Sequence, residues 1–129
     1  MSATITAVPP RAEVPVEETW ALETVFATDD EWEEAFHDSG KQLREVETFR
    51  GRTADGPASL LATLRATDEL TEAVSKVLVY ALLRRAEDAT NTRSGEMADR
   101  AIGLTSRAEA AGSFLGPEIT AISDETIAD

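Results

Sequence analysis

The sequence predicts an all-α fold of long, up-and-down helices preceded by an extended N-terminal strap. Three observations predict it. Apolar residues recur at steps of three and four through most of the chain. Thr28 with Glu31, Pro57, and Gly116-Pro117 punctuate those stretches as helix starts and stops. The one run that invites a strand, Val77 to Leu83, has helix formers on both sides and no Gly or Pro until Gly95.

Residues 1–16 show neither helical nor strand period and carry Pro9-Pro10, so they read as a flexible leader. Residues 17–129 read as one helical domain. Trp20, Leu22, Val25 and Phe26 anchor a strap too short to be a major helix. Thr28 and Glu31 then form a capping box, with Asp29 and Asp30 in the first turn. The first helix is expected from Asp29 to Phe49, with Trp32, Ala35, Phe36, Leu43 and Val46 on its apolar face and a polar gap at Ser39-Gly40. Gly40 weakens it by about 1 kcal/mol relative to Ala.

Gly51 to Gly56 is a turn, and Pro57 suits the first position of the next helix, where its missing N–H costs little. That second helix is expected from Pro57 to Asp88, its buried face made by Leu60, Leu61, Leu64, Leu70, Val74, Val77, Leu78, Ala81 and Leu82. Thr92 is expected to cap a third, carried by Met97, Ala101, Leu104, Ala108, Ala111 and Leu115 as far as Gly116-Pro117. Gly103 and Gly112 are costly inside it, which points to a closely packed backbone or a kink. Ser123 is a plausible N-cap followed by Asp124 and Glu125, but only about one and a half turns remain at ~3.6 residues per turn. The expectation is therefore the front end of a longer protein.

A chain of 129 residues with 42% hydrophobic and 29% charged residues has the balance of a soluble globular domain. No stretch approaches the roughly 18 apolar residues of a membrane span, and Met1 to Pro10 lack the pattern of a secretory signal. The net charge of −13 is concentrated toward the start, where residues 1–34 carry −8. Such a field repels phosphate backbones and anionic headgroups, which argues against nucleic acid and membrane partners. A basic ligand is permitted, although a solvated acidic face explains the bias more simply. The absence of cysteine removes disulfides and thiolate chemistry and fits a cytoplasmic setting.

Chemistry-bearing patterns are sparse. His37 follows Glu33 and Glu34 at helical spacing, but one histidine with two carboxylates is a poor zinc set. An exposed histidine on a charged face is the expectation. The carboxylate pairs Glu17-Glu18, Asp29-Asp30, Glu33-Glu34, Glu87-Asp88 and Asp124-Glu125 read as helix-start or solvent-face charges, because acid/base work needs a shared cleft. Ser59, Ser75, Ser94 and Ser106 lie in no nucleophile elbow. Arg84-Arg85 can hold a carboxylate of a partner, yet dipole complementation and pairing with Glu87 or Asp88 account for them more directly. For Tyr80, core packing with one hydrogen bond is favoured over a channel-edge hydroxyl.

In order along the chain, Trp20-x-Leu22 with Phe26, Thr28-Asp29-Asp30-Glu31-Trp32, Leu78-x-Tyr80-Ala81-x-Leu83, Asp88, and Ser113-Phe114-Leu115-x-Pro117-Glu118-Ile119 resemble the N-terminal region of the oligoendopeptidase F family, zinc metallopeptidases related to thimet oligopeptidase. The likeness runs from about Arg11 to the end. It implies a mostly helical, cytoplasmic enzyme that cleaves short peptides inside a deep channel, its zinc held by H-E-x-x-H and a downstream Glu. None of those residues occurs here. The resemblance thus assigns no catalytic, cofactor-binding or metal-binding residue to this chain. It assigns zinc to the parent enzyme, and it gives this segment a place in the channel wall beside the missing C-terminal catalytic domain. Trp20, Trp32 and the surplus apolar side of Val77 to Leu83 are then candidates to face missing helices, the alternative being burial within the three helices. The rival reading is a freestanding acidic helical module for binding or dimerisation.

Overall fold

In the computed structural model, which describes residues 7–128, Thr28 Oγ1 accepts the Glu31 N–H at 3.2 Å. Glu31 Oε2 accepts the N–H of Ala27 at 2.9 Å, so the capping box closes one residue further back than its usual form. This starts α1 (Asp29–Glu47). The helix ends two residues before the expected Phe49, as Thr48 turns its hydroxyl onto the Glu45 carbonyl and Gly51 takes φ +81°. Pro57 opens α2 (Pro57–Glu87), which spans about 46 Å at 1.5 Å per residue.

The third start differs from expectation by one residue. Asn91, not Thr92, is the N-cap of α3 (Thr92–Gly112), accepting the Ser94 N–H on Oδ1 at 3.2 Å. Its amide oxygen reaches the first-turn donors from extended backbone while Thr92 is already helical. Nor does α3 continue to Gly116-Pro117. A helix through that point would need Pro117 to donate to the Ser113 carbonyl, and proline has no N–H to give. The chain instead bends at Ser113-Phe114 and restarts as α4 (Leu115–Thr120). Ser123 caps α5 (Asp124–Ala128) through the Thr126 N–H, as its sequence suggests.

Among the described residues there is no strand, and α1, α2 and α3 each pack against the other two. Thr67 near the start of α2 meets Gly112 at the end of α3, and Glu33 near the start of α1 meets Arg100 in the first half of α3. Thus α2 runs antiparallel to both neighbours, giving the up-and-down arrangement. Ahead of them the strap folds as three short 3-10 turns, Arg11–Glu13, Val16–Glu18 and Leu22–Thr24, with Leu22 buried. Residues 1–6 of the expected leader lie outside the described residues.

The buried stripe of α1 is Trp32, Ser39, Leu43 and Val46, with Phe36 half-buried between. Ser39 therefore belongs to the packed face rather than to a polar gap, its hydroxyl satisfied by the Ala35 carbonyl at 2.8 Å. Trp32 is 0% exposed, so for it burial within the three helices holds and not a place facing missing helices. Its indole Nε1–H donates to the Val77 carbonyl at 2.9 Å, Phe36 stacks on it at 5.4 Å, and Arg100 lies 5.2 Å from its centroid. Trp20 and Val79 do remain exposed, at 54% and 46%, and so, against expectation, do Leu61 and Leu64 in the first turns of α2, where Thr63 takes the buried position instead. The close approach proposed for Gly103 is not found, since nothing would lie within 4 Å of a Cβ there, and at Gly112 the nearest atom is the Thr67 methyl at 4.0 Å.

Truncating Trp32→Ala should lower the unfolding free energy by about 3–5 kcal/mol, read from urea denaturation. Gly103→Ala, in an exposed turn of α3 with room for the methyl, should raise it by about 0.5–1 kcal/mol in the same assay.

Candidate functional site: the charged cleft beneath the strap

The strap, the start of α1 and the last turns of α2 enclose an open cleft of about 490 Å³. Asp29 is at its centre because the capping box fixes the first turn of α1 against α2. Tyr80 donates its hydroxyl to Asp29 Oδ1 at 2.8 Å, Arg84 Nε lies 3.6 Å from the same oxygen, and Arg93 Nε reaches Oδ2 at 3.5 Å. One turn further along α2, Glu87 receives Arg84 at 3.1 Å and Arg11 of the strap at 3.0 Å. Its side chain is 5% exposed, so its charge is held by two guanidinium groups rather than by water. Phe26 closes edge-on against the Tyr80 ring at 5.4 Å, and half-exposed Trp20 stands at the mouth.

These contacts set the site's electrostatics. Burial, then the hydrogen bond and charge of Asp29, push the Tyr80 phenol up to about 12, so it stays protonated at neutral pH. Burial opposes the charge of Arg84, but Asp29 and Glu87 outweigh it and raise its pKa. With both carboxylates engaged by arginines and the phenol kept neutral, the cluster's chemistry is that of a latch fixing the strap to the helices.

The other residues singled out by sequence are dispersed. His37 is exposed and touches only the edge of Phe36 among aromatic rings, while Glu33 turns to Arg100 with bonds of 2.6 and 2.8 Å. Ser59 donates to the Arg52 carbonyl at 2.6 Å, Ser94 is buried at the start of α3, and Ser106 is exposed. Among the described residues no group of three or more His, Asp or Glu side chains is placed to hold a metal ion, so they do not fit a zinc seat. No described helix is long and apolar enough to cross a membrane. Tyr80 and Arg84 behave as their sequence context suggests, hydrogen-bonded core and ion pair to Glu87. Asp29, Arg11 and Arg93 were not legible as a cluster, since they come from three separate elements.

A second junction lies at the other end of the bundle. Glu118 of α4 accepts the Gly51 N–H on both oxygens at 3.0 Å and the Thr53 N–H at 3.4 Å, tying α4 to the α1–α2 turn. The Gly51 hydrogen bond, foremost, holds its carboxyl below the usual range. Arg50 covers the buried Phe114 ring at 5.4 Å.

Comparison with known proteins gives these junctions a context. The chain is 29% identical over 119 residues to oligopeptidase PepF of Bacillus subtilis, and 31% identical over 116 residues to the plasmid-encoded oligoendopeptidase F of Lactococcus lactis subsp. cremoris. A third relative, the group B oligopeptidase PepB of Streptococcus agalactiae, is 30% identical over 105 residues. The chain is a homologue of the oligoendopeptidase F proteins. The matches cover 92%, 89% and 81% of this chain but only 18%, 19% and 18% of those proteins. No family model and no solved structure matches. Several residues that carry the oligoendopeptidase F likeness meet in space: Trp20, Phe26, Asp29 and Tyr80 in the cleft, and Phe114 and Glu118 at the second junction.

The single tyrosine makes the latch measurable. Absorbance at 295 nm should show a phenolate midpoint near 12 in the folded chain against about 10 when unfolded. Because the folded value is the higher, the neutral phenol's contribution to stability is intact below about pH 10 and is lost as pH rises toward 12. Asp29→Asn should move the folded midpoint down.

Proposed function

We propose that this chain is the N-terminal helical portion of an oligoendopeptidase F-like zinc metalloendopeptidase, acting in the cytoplasm on short peptides. The observation that carries the reading is the match to oligoendopeptidase F relatives along 81–92% of the chain, while the chain spans under a fifth of their length. In this reading residues 1–16 are a leader that runs into the strap from Arg11 onward, and residues 17–129 are a helical domain packed against a C-terminal catalytic domain. The three long helices form part of the wall of the peptide channel, and a wall of rigid helices limits entry to short, unfolded substrates.

The division of labour follows from the side chains present. Peptide-bond hydrolysis by this class needs a zinc ion and a carboxylate that activates the attacking water, and zinc would supply that Lewis-acid chemistry from the catalytic domain. This chain's own residues shape and hold the wall. Arg11 pairs with Glu87 and so fixes the strap to the Asp29, Tyr80 and Arg84 cluster, and Glu118 fixes the far end.

The deciding experiment reads the source DNA beyond the codon for Asp129. An open frame of several hundred codons encoding H-E-x-x-H supports the proposal. A stop codon there overturns it and favours a freestanding helical module. Where the frame is open, a chelator should abolish peptide cleavage by its full product, while the thermal midpoint of the 129-residue chain stays the same with chelator or with added zinc.

A further inference from the structure

The pair α2 and α3 has two sides. One is filled by α1, whose Trp32, Leu43 and Val46 are buried. On the other side lies an open groove of about 340 Å³, floored by Leu70 and Val74 of α2 and flanked by Thr67 and Thr71 of α2 and Thr105 and Ala108 of α3.

Two features define the chemistry of this groove. Its lining contains one charged side chain, Glu109, in a protein with a net charge of −13. Its threonines are also spoken for internally: Thr67, Thr71 and Thr105 donate their hydroxyls to the carbonyls of Thr63, Thr67 and Ala101 at 2.8, 2.9 and 2.9 Å. The Thr67 methyl reaches to within 4.0 Å of where a Gly112 Cβ would stand, so the groove is narrow and carbon-lined at that end.

The apolar character continues along both helices. Thr71, Ser75 and Val79 fall on one stripe of α2 at steps of four, with Leu64 seven residues before Thr71, and Ile102 precedes Thr105 by three on α3. Leu64, Val79 and Ile102 are exposed by 36%, 46% and 45%. From Leu64 to Val79 the stripe runs about 22 Å, room for a helix of four turns. Small residues and methyl groups suit the close approach of a helix, and an exposed strip this poor in charge is an unfinished interface.

We propose that this groove seats a helix of the remaining polypeptide of the parent protein, the four-fifths of the relatives' length that lies outside the match. The inference rests on the reading given under Proposed function and names the face through which this segment joins the rest. A second copy of the chain is the weaker occupant, because each copy brings thirteen net negative charges to the encounter.

The test exploits the absence of cysteine from the chain. Thr71→Cys, Val79→Cys and, as a control on exposed α1, His37→Cys are made separately, in the 129-residue chain and in the product of the full open frame. Circular dichroism checks that helicity is kept, and maleimide labelling is followed at each site by peptide mass spectrometry. The expected result is labelling at least tenfold slower at positions 71 and 79 in the full product than in the 129-residue chain, with position 37 equal in both. Equal rates at 71 and 79 would overturn the groove assignment while an open frame with H-E-x-x-H leaves the functional reading standing. Protection already present in the 129-residue chain and growing with its concentration would make a second copy the occupant and overturn the inference. A stop codon after Asp129 would overturn both.

Discussion

The burial of Trp32 is the constraint on which the remaining structure depends. Its indole fills the junction of all three long helices, and the one polar atom it takes inside is satisfied by a carbonyl of α2. That bond fixes the height of α1 against α2, and the helix register then determines where everything else on α1 meets its neighbours. Asp29, three residues earlier, arrives beside Tyr80 and Arg84. Glu33, one residue later, faces Arg100, whose guanidinium lies over the rings of Trp32 and Phe36.

A strongly acidic chain must also keep its elements together against its own field. Here four arginines are spent between elements. Arg11 ties strap to α2, Arg84 ties α2 to α1, Arg93 and Arg100 tie α3 to α1. An isolated exposed ion pair contributes little, but Glu87 is nearly enclosed and engages two arginines at once. The acidic excess of the first 34 residues is thereby partly neutralised where the strap meets the helices. It remains solvated elsewhere.

Helix starts were more legible than helix ends. Thr28 with Glu31 and Pro57 were read directly, because an N-terminus is specified by one or two side chains acting on adjacent N–H groups. Asn91 and Thr92 adjoin and both have capping side chains, so local chemistry leaves the start of α3 open by one residue. The break at Ser113 is hidden in the sequence, since the apolar three-four step runs on through Leu115 and only the backbone requirement at Pro117 interrupts it. The burial of Ser39 is hidden for a related reason: periodicity counts polarity, whereas packing accepts a small serine whose hydroxyl turns back on its own helix.

What the sequence by itself determined is the all-α class, the three long helices in order, the turn between Gly51 and Gly56, and the oligoendopeptidase F likeness. These follow from local periodicity, capping chemistry and residue order, all properties of short stretches. The tertiary structure alone decided which of the two tryptophans is buried, that Asp29 gathers a tyrosine and two arginines from distant positions, and that one side of α2 and α3 stays uncovered. Those outcomes depend on the register between helices, set by how side chains as large as Trp32 interlock, and no stretch of sequence carries that register on its own.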